Sequence, residues 1–150
     1  MSGSVTVPQK CDISGGMTIP IEFGDIMSNS FKMAGQMPVG FNKVHKELTL
    51  KCNNISEGVK VSLSIQGTPD PRFNNALKTE DNEDIAVLFE NSAGVVIPVQ
   101  TGLLPAEMNG LGQLESTGKA DVYMYPIKTG DKLPAVGEFN ATATVKAEIQ

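Results

Sequence analysis

Apolar residues recur at every second position through much of this 150-residue chain. A period of two places one row of side chains on a single face of a β-strand. Leu48, Leu50 and Cys52 alternate with Glu47, Thr49 and Lys51. Val59, Val61, Leu63 and Ile65 alternate with Lys60, Ser62, Ser64 and Gln66, and Gly67 and Pro69 then end the run. Val5 and Val7 start a short extended piece stopped by Pro8. Ile19, Ile21 and Phe23 share one side of a second piece, closed by Gly24-Asp25. Ile85 to Glu90 and Val95 to Val99 flank Asn91-Ser92-Ala93-Gly94, a hairpin pattern. Ala120, Val122, Met124 and, beyond a bend at Pro126, Ile127 mark a further strand. The polar stretch 66–84 reads as a long surface loop, and 25–37 holds a turn of helix at most. The pattern predicts one all-β domain over residues 1–150.

The last strand is the longest. Phe139, Ala141, Ala143, Val145, Ala147 and Ile149 fall on one face; Asn140, Thr142, Thr144, Lys146, Glu148 and Gln150 fall on the other. Domain ends are usually frayed and polar, whereas this alternation runs to the last residue of the sequence. By itself such a strand fits an ordinary closed sandwich. The three inward alanines add room for other side chains to insert.

Composition narrows the function. Apolar residues make up 40% and charged ones 19%, so the chain can bury a core, and no run approaches the roughly 18–20 apolar residues of a membrane-spanning helix. Met1-Ser2-Gly3-Ser4 is polar, without the apolar stretch of a leader. A net charge of −5, with Arg72 the only arginine, excludes a nucleic-acid partner, which needs clustered cations. Cys11 and Cys52 leave two readings open, buried thiols or one disulfide. A disulfide here would close a loop of about 40 residues, worth ~3–4 kcal/mol. His45 is the only histidine, and with Cys11 and Cys52 it lacks a fourth ligand at zinc spacing. Glu80, Asp81, Glu83 and Asp84 lack the glycine and terminal glutamate of a calcium loop and read as a solvated segment. No phosphate loop or nucleophile motif is present. The expectation is a protein that is not an enzyme, with no catalytic residue, metal or cofactor.

The two ends carry a resemblance. Gly137 is the fourteenth residue from the end and precedes the alternating strand. This arrangement resembles the C-terminal motif of pilins assembled by the chaperone–usher pathway. The run Phe139-Asn140-Ala141-Thr142-Ala143-Thr144 resembles the final strand of type 1 minor pilins. The segment from Val5 to Ile13 is similar to the surroundings of the first pilin cysteine, and Ile19 to Ile26 to the strand that follows in P-pilus minor subunits. The separation of Cys11 and Cys52 also matches the family disulfide. The family usually has tyrosine as its penultimate residue, where this chain has Ile149. It also carries a donor extension of about a dozen residues or more, whereas only ten residues precede Cys11 here.

The resemblance implies an incomplete immunoglobulin-like β-sandwich of six strands, whose missing seventh is supplied by donor-strand complementation. The groove would lie between Phe139, Ala141, Ala143, Val145, Ala147 and Ile149 of the last strand and Val5, Val7, Ile19, Ile21 and Phe23 of the first. A Cys11–Cys52 disulfide would tie the first strand to the second. Implied partners are a periplasmic chaperone whose basic residues hold the carboxylate of Gln150, an outer-membrane usher, neighbouring pilin subunits, and a host receptor reached through the fimbria. Implied locations are the periplasm during assembly and then the bacterial surface. The chain is expected to accept a strand and not to donate one, as a structural subunit or as the pilin domain of a two-domain tip adhesin. The alternative is a closed immunoglobulin-like receptor- or carbohydrate-binding module. Tryptophan is absent and only Tyr123 and Tyr125 are tyrosines, which speaks against it.

Overall fold

The alternating runs pair into two antiparallel sheets whose apolar rows face each other. The computed structural model of the chain describes residues 9–13, 18–25, 30–79, 84–130 and 138–149. Val5, Val7, Gly137, Gln150, Glu80, Asp81 and Glu83 lie outside the described residues, as do the side chains of Ile19 and Phe139. The strands are β1 (Lys10–Ile13), β2 (Thr18–Asp25), β3 (Val44–Asn53), β4 (Val61–Gln66), β5 (Leu77–Lys78), β6 (Ile85–Glu90), β7 (Leu104–Pro105), β8 (Glu107–Asn109), β9 (Glu115–Lys128) and β10 (Glu138–Ile149). One sheet runs β1-β3-β9-β6-β5, with β8 also on β9; the other runs β2-β10-β4-β7.

β1 and β2 lie in different sheets, so the first strand is divided between the two layers. Counted that way, β3, β9 and β6 with β1, and β4 and β10 with β2, follow the strand order of a constant-type immunoglobulin sandwich. Between the layers lie Leu48, Leu50 and Cys52 of β3, Val61, Leu63 and Ile65 of β4, and Val87 and Phe89 of β6. Ala120, Val122 and Met124 of β9 and Ala141, Ala143 and Val145 of β10 complete this core. Each set repeats every second residue, as the sequence predicts.

β6 is buried at all six positions. Its inner row joins the main core. Its outer row, Ala86 and Leu88, packs with Ala76, Tyr125 and Ile127 under Phe41 and Phe73. Segments 31–43 and 70–76 therefore form a strap over the outside of the first sheet. This corrects the reading of 66–84 as a plain surface loop. Asp70, Ala76, Leu77 and Thr79 are buried, and Pro69 bridges Leu77. The segment can be both polar and buried because its polar groups are satisfied locally: Asp70 Oδ1 accepts hydrogen bonds from the backbone N–H groups of Arg72 and Phe73.

The expected hairpin after β6 has the turn but not the second strand. Asn91 Oδ1 accepts from the N–H groups of Ala93 and Val95, Gly94 takes φ +81°, and only the Glu90–Val96 bridge follows. Pro126 lies inside β9, opposite Val87.

Candidate functional site: the half-open edge of the last strand

β10 has twelve residues, and neither neighbour covers all of it. β4 pairs with its C-terminal half, from Thr144 opposite Gln66 to Ile149 opposite Val61. β2 pairs on the other edge with the N-terminal half, from Glu138 opposite Asp25 to Thr144 opposite Thr18. On the β2 side, Val145 to Ile149 have no strand partner among the described residues. Among the described residues, the main chain of Val145–Ile149 on the β2 side, and of Glu138–Ala143 on the β4 side, therefore has no strand to pair with.

Burial falls off along the same strand. Ala141, Ala143 and Val145 are buried, at 5%, 1% and 1% exposure. Ala147 and Ile149 are only partly buried against the same core. Cover thins after Val145, one residue beyond the last pair with β2. Opposite them stand Leu63 and Val61 of β4, both buried. The alternation of residues 59–65 marks these as inward, but no sequence signal says that they would form the wall beside Ala147 and Ile149.

Over residues 18–25, β2 is hydrogen-bonded directly to β10, with Ile21 opposite Ala141 and Ile19 opposite Ala143. Two bare strand edges with nothing between them satisfy their backbone groups by pairing with each other. Ile21 is a core residue at 2% exposure. Phe23 is half-buried and turns toward the end of the sandwich, where its ring meets Phe41 edge-on at 5.6 Å and packs by Phe31 and Ile85.

Cys11 and Cys52 form a disulfide, which settles the two readings left by the sequence. They sit directly opposite each other in the β1–β3 pair, with Cα atoms 4.0 Å apart. The bridge thus fixes the first half of the divided strand to β3.

The open half-edge is apolar inward and charged outward. Val145, Ala147 and Ile149 carry no charge, whereas Lys146 and Glu148 pair on the outer face at 3.8 Å, and Ser64 Oγ donates to Glu148 at 3.3 Å. A cleft of about 470 Å³ touches β10 at Thr142 and is lined by Gly67, Thr68, Leu77, Lys78 and Thr79, a mostly polar set.

Two polar clusters lie elsewhere. Glu90 accepts from Lys43 Nζ at 2.5 Å and from the Tyr125 hydroxyl at 2.8 Å, and Lys43 lies 5.3 Å from the Tyr125 ring centre. Burial, then the hydrogen bond to Glu90 and the Glu90 charge, push the Tyr125 phenol well above its usual range. This cluster fastens the strap to the first sheet. His45 stacks on Tyr123 at 4.7 Å and bonds Asp121 at 2.8 Å on the exposed outer face. Among the described residues, no three His, Cys, Asp or Glu side chains gather to hold a metal ion.

Known proteins agree with this architecture. Protein LpfD of Salmonella typhimurium is 36% identical over 154 residues, covering 100% of this chain and 43% of its own length. The type 1 fimbrin D-mannose specific adhesin of the same organism is 25% identical over 149 residues, covering 98% of this chain and 43% of its own. The chain thus spans less than half the length of these relatives. A solved chaperone–usher pilus structure superposes with a TM-score of 0.60 at 16% identity, covering 100% of this chain and 96% of the other; at that identity the likeness is one of fold. The sequence model described as "Fimbrial protein" matches residues 1–150. An immunoglobulin-like sandwich with a half-open last strand, matched along its whole length by that model, places this chain in the fimbrial protein family, a family of structural proteins and not of enzymes.

Proposed function

We propose that this chain is a strand-accepting pilin domain, in which a segment of another polypeptide adds to β10 and completes the second sheet. The observation that carries the reading is the half-edge Val145–Ile149, open on one side, with Ala147 and Ile149 incompletely covered. Strand addition there supplies main-chain hydrogen bonds for affinity, and inward pockets at alternate positions supply specificity. A donor longer than five residues would continue along Phe139, Ala141 and Ala143. To do so it would lift β2 from β10 and take its place, leaving Ile19, Ile21 and Phe23, with Val5 and Val7, as the far wall. Gly137 would set the start of the acceptor strand.

In this reading the donor is first a periplasmic chaperone, which holds the Gln150 carboxylate with basic residues, and then a neighbouring subunit at the usher. The domain ends in a fimbria on the bacterial surface. A place as the pilin domain of a two-domain tip adhesin is supported by relatives more than twice as long, one of them an adhesin.

The test is a titration of the disulfide-bonded chain with synthetic alternating apolar peptides, followed by amide hydrogen exchange. Slowed exchange at residues 145–149, with a rise in melting temperature, is expected. A chain that melts cooperatively at high temperature alone and gains nothing from any donor peptide overturns the reading.

A further inference from the structure

Every sheet has two edges, and an edge that accepts one strand is a hazard if another can do the same. β5 and β7 are two residues each, with Pro69 beside the first and Pro105 inside the second; proline has no N–H to offer. β8 is three residues. β2 bounds the second sheet over eight residues and has Pro20 within it. A further long edge lies on β3 in the first sheet. β1 covers β3 only from Leu50 to Asn53, so Val44 to Thr49 have no strand on that side among the described residues.

This edge resembles the half-edge of β10 in every respect but one. Along β3 the inward row is Val44, Lys46, Leu48, Leu50 and Cys52. Val44 packs against the core, and Leu48, Leu50 and Cys52 are buried within it. Lys46 stands in the same row, directly opposite Val122, which is 1% exposed, yet Lys46 itself is exposed. No described strand lies beside β3 at that point. On β10 the corresponding row, Val145, Ala147 and Ile149, carries no charge.

We infer that Lys46 closes the β3 edge to strand addition, so that a second copy of this chain cannot pair there. An antiparallel pairing of β3 with another β3 must keep inward residues on one face. The two central registers of that kind set Lys46 against either a second Lys46 or Leu48. Either way an ammonium group is enclosed beside apolar side chains or a like charge, which disfavours the contact. Lysine at an inward edge position is a known means of blocking such pairing. The inference goes beyond the acceptor role of β10 and does not depend on it.

Sedimentation of the full disulfide-bonded chain tests it, with Lys46→Val and Lys46→Met compared with Lys46→Arg. The two apolar variants are expected to self-associate at concentrations at least tenfold below the wild type. Amide exchange at residues 44–49 should slow at least tenfold in the associated form, and the arginine variant should behave as wild type. Apolar variants that fold, judged by protected amides in β9, and sediment as wild type overturn the inference. So does association that leaves exchange at 44–49 unchanged while slowing it at 145–149, because the contact would then run through β10. Two methods of removing the charge guard against one variant failing to fold.

Discussion

Ala147→Phe separates accepting a strand from holding the fold together. Ala147 lies inward on the half of β10 that β2 leaves open, opposite Leu63, and is only partly buried. No described strand lies against it on the β2 side, so in the acceptor reading a phenylalanine there should change the stability of the isolated chain by less than about 0.5 kcal/mol. A donor strand needs that same space. The donor side chain that would sit above Ala147 either stays out and loses burial of about 1.5–3 kcal/mol, or is forced in against the ring at a cost of ~1–3 kcal/mol. A loss of about 1–3 kcal/mol weakens donor binding roughly 5- to 150-fold.

Ala143 is the useful contrast. It is 1% exposed and lies opposite Ile19 in the β2 ladder, so phenylalanine there overpacks the interior, and stability and donor affinity should fall together. Fluorescence anisotropy with a labelled donor peptide reads affinity, and urea unfolding of the free chain reads stability. An Ala147→Phe chain that binds donor within threefold of wild type refutes the placement of the pocket, whatever happens at Ala143.

Two further outcomes follow from other parts of the fold. Cys11→Ser with Cys52→Ser opens a loop with a sequence separation of 41 and should lower stability by about 4 kcal/mol, measured by urea unfolding; a loss under about 1 kcal/mol contradicts the chain-entropy account. The Tyr125 phenol holds its proton more tightly when folded, so the unfolded chain loses that proton first as pH rises. Stability should therefore be level with respect to this group below pH about 10, the ordinary tyrosine value, and fall above it. Tyr125→Phe should flatten that alkaline slope in pH-dependent unfolding while costing about 1–2 kcal/mol at neutral pH for the unmade bond to Glu90; an unchanged slope would mean that the Tyr125 phenol does not titrate differently in the folded and unfolded chain.

The inward rows were legible in the sequence because strands half-covered by a core leave a period of two. Leu48, Leu50 and Cys52 show it, and so do Ala141, Ala143 and Val145. β6 was harder, since Ile85 to Phe89 are apolar throughout. Only the strap over Ala86 and Leu88 explains burial on both faces. The burial of Asp70 and Thr79 was hidden because their partners, the Arg72 and Phe73 amides and the Ile85 carbonyl, are backbone groups that composition does not reveal. The pairing of β2 with β10 was not legible at all. Alternation says which face is inward without saying what lies beside the edge.

The length of the open half-edge has a mechanical cause. Cys11–Cys52 fixes β1 against β3 in the first sheet, ending at Ile13. β2 begins at Thr18 in the other sheet. Five Cα–Cα steps separate them, with a reach of at most about 18 Å, and facing sheets stand about 10 Å apart. More than half of that reach is spent on the crossing, which limits how much earlier β2 can begin. With Thr18 opposite Thr144 in an antiparallel pair, the residues of β10 beyond Thr144 have no strand partner on that side among the described residues. Sliding β2 toward Ile149 would need a shift of two residues to keep Ile21 inward, and the disulfide withholds that slack. The same covalent bond that stabilises the fold therefore sets which part of the last strand stays available, and its loss should let β2 creep along β10 and compete with a donor.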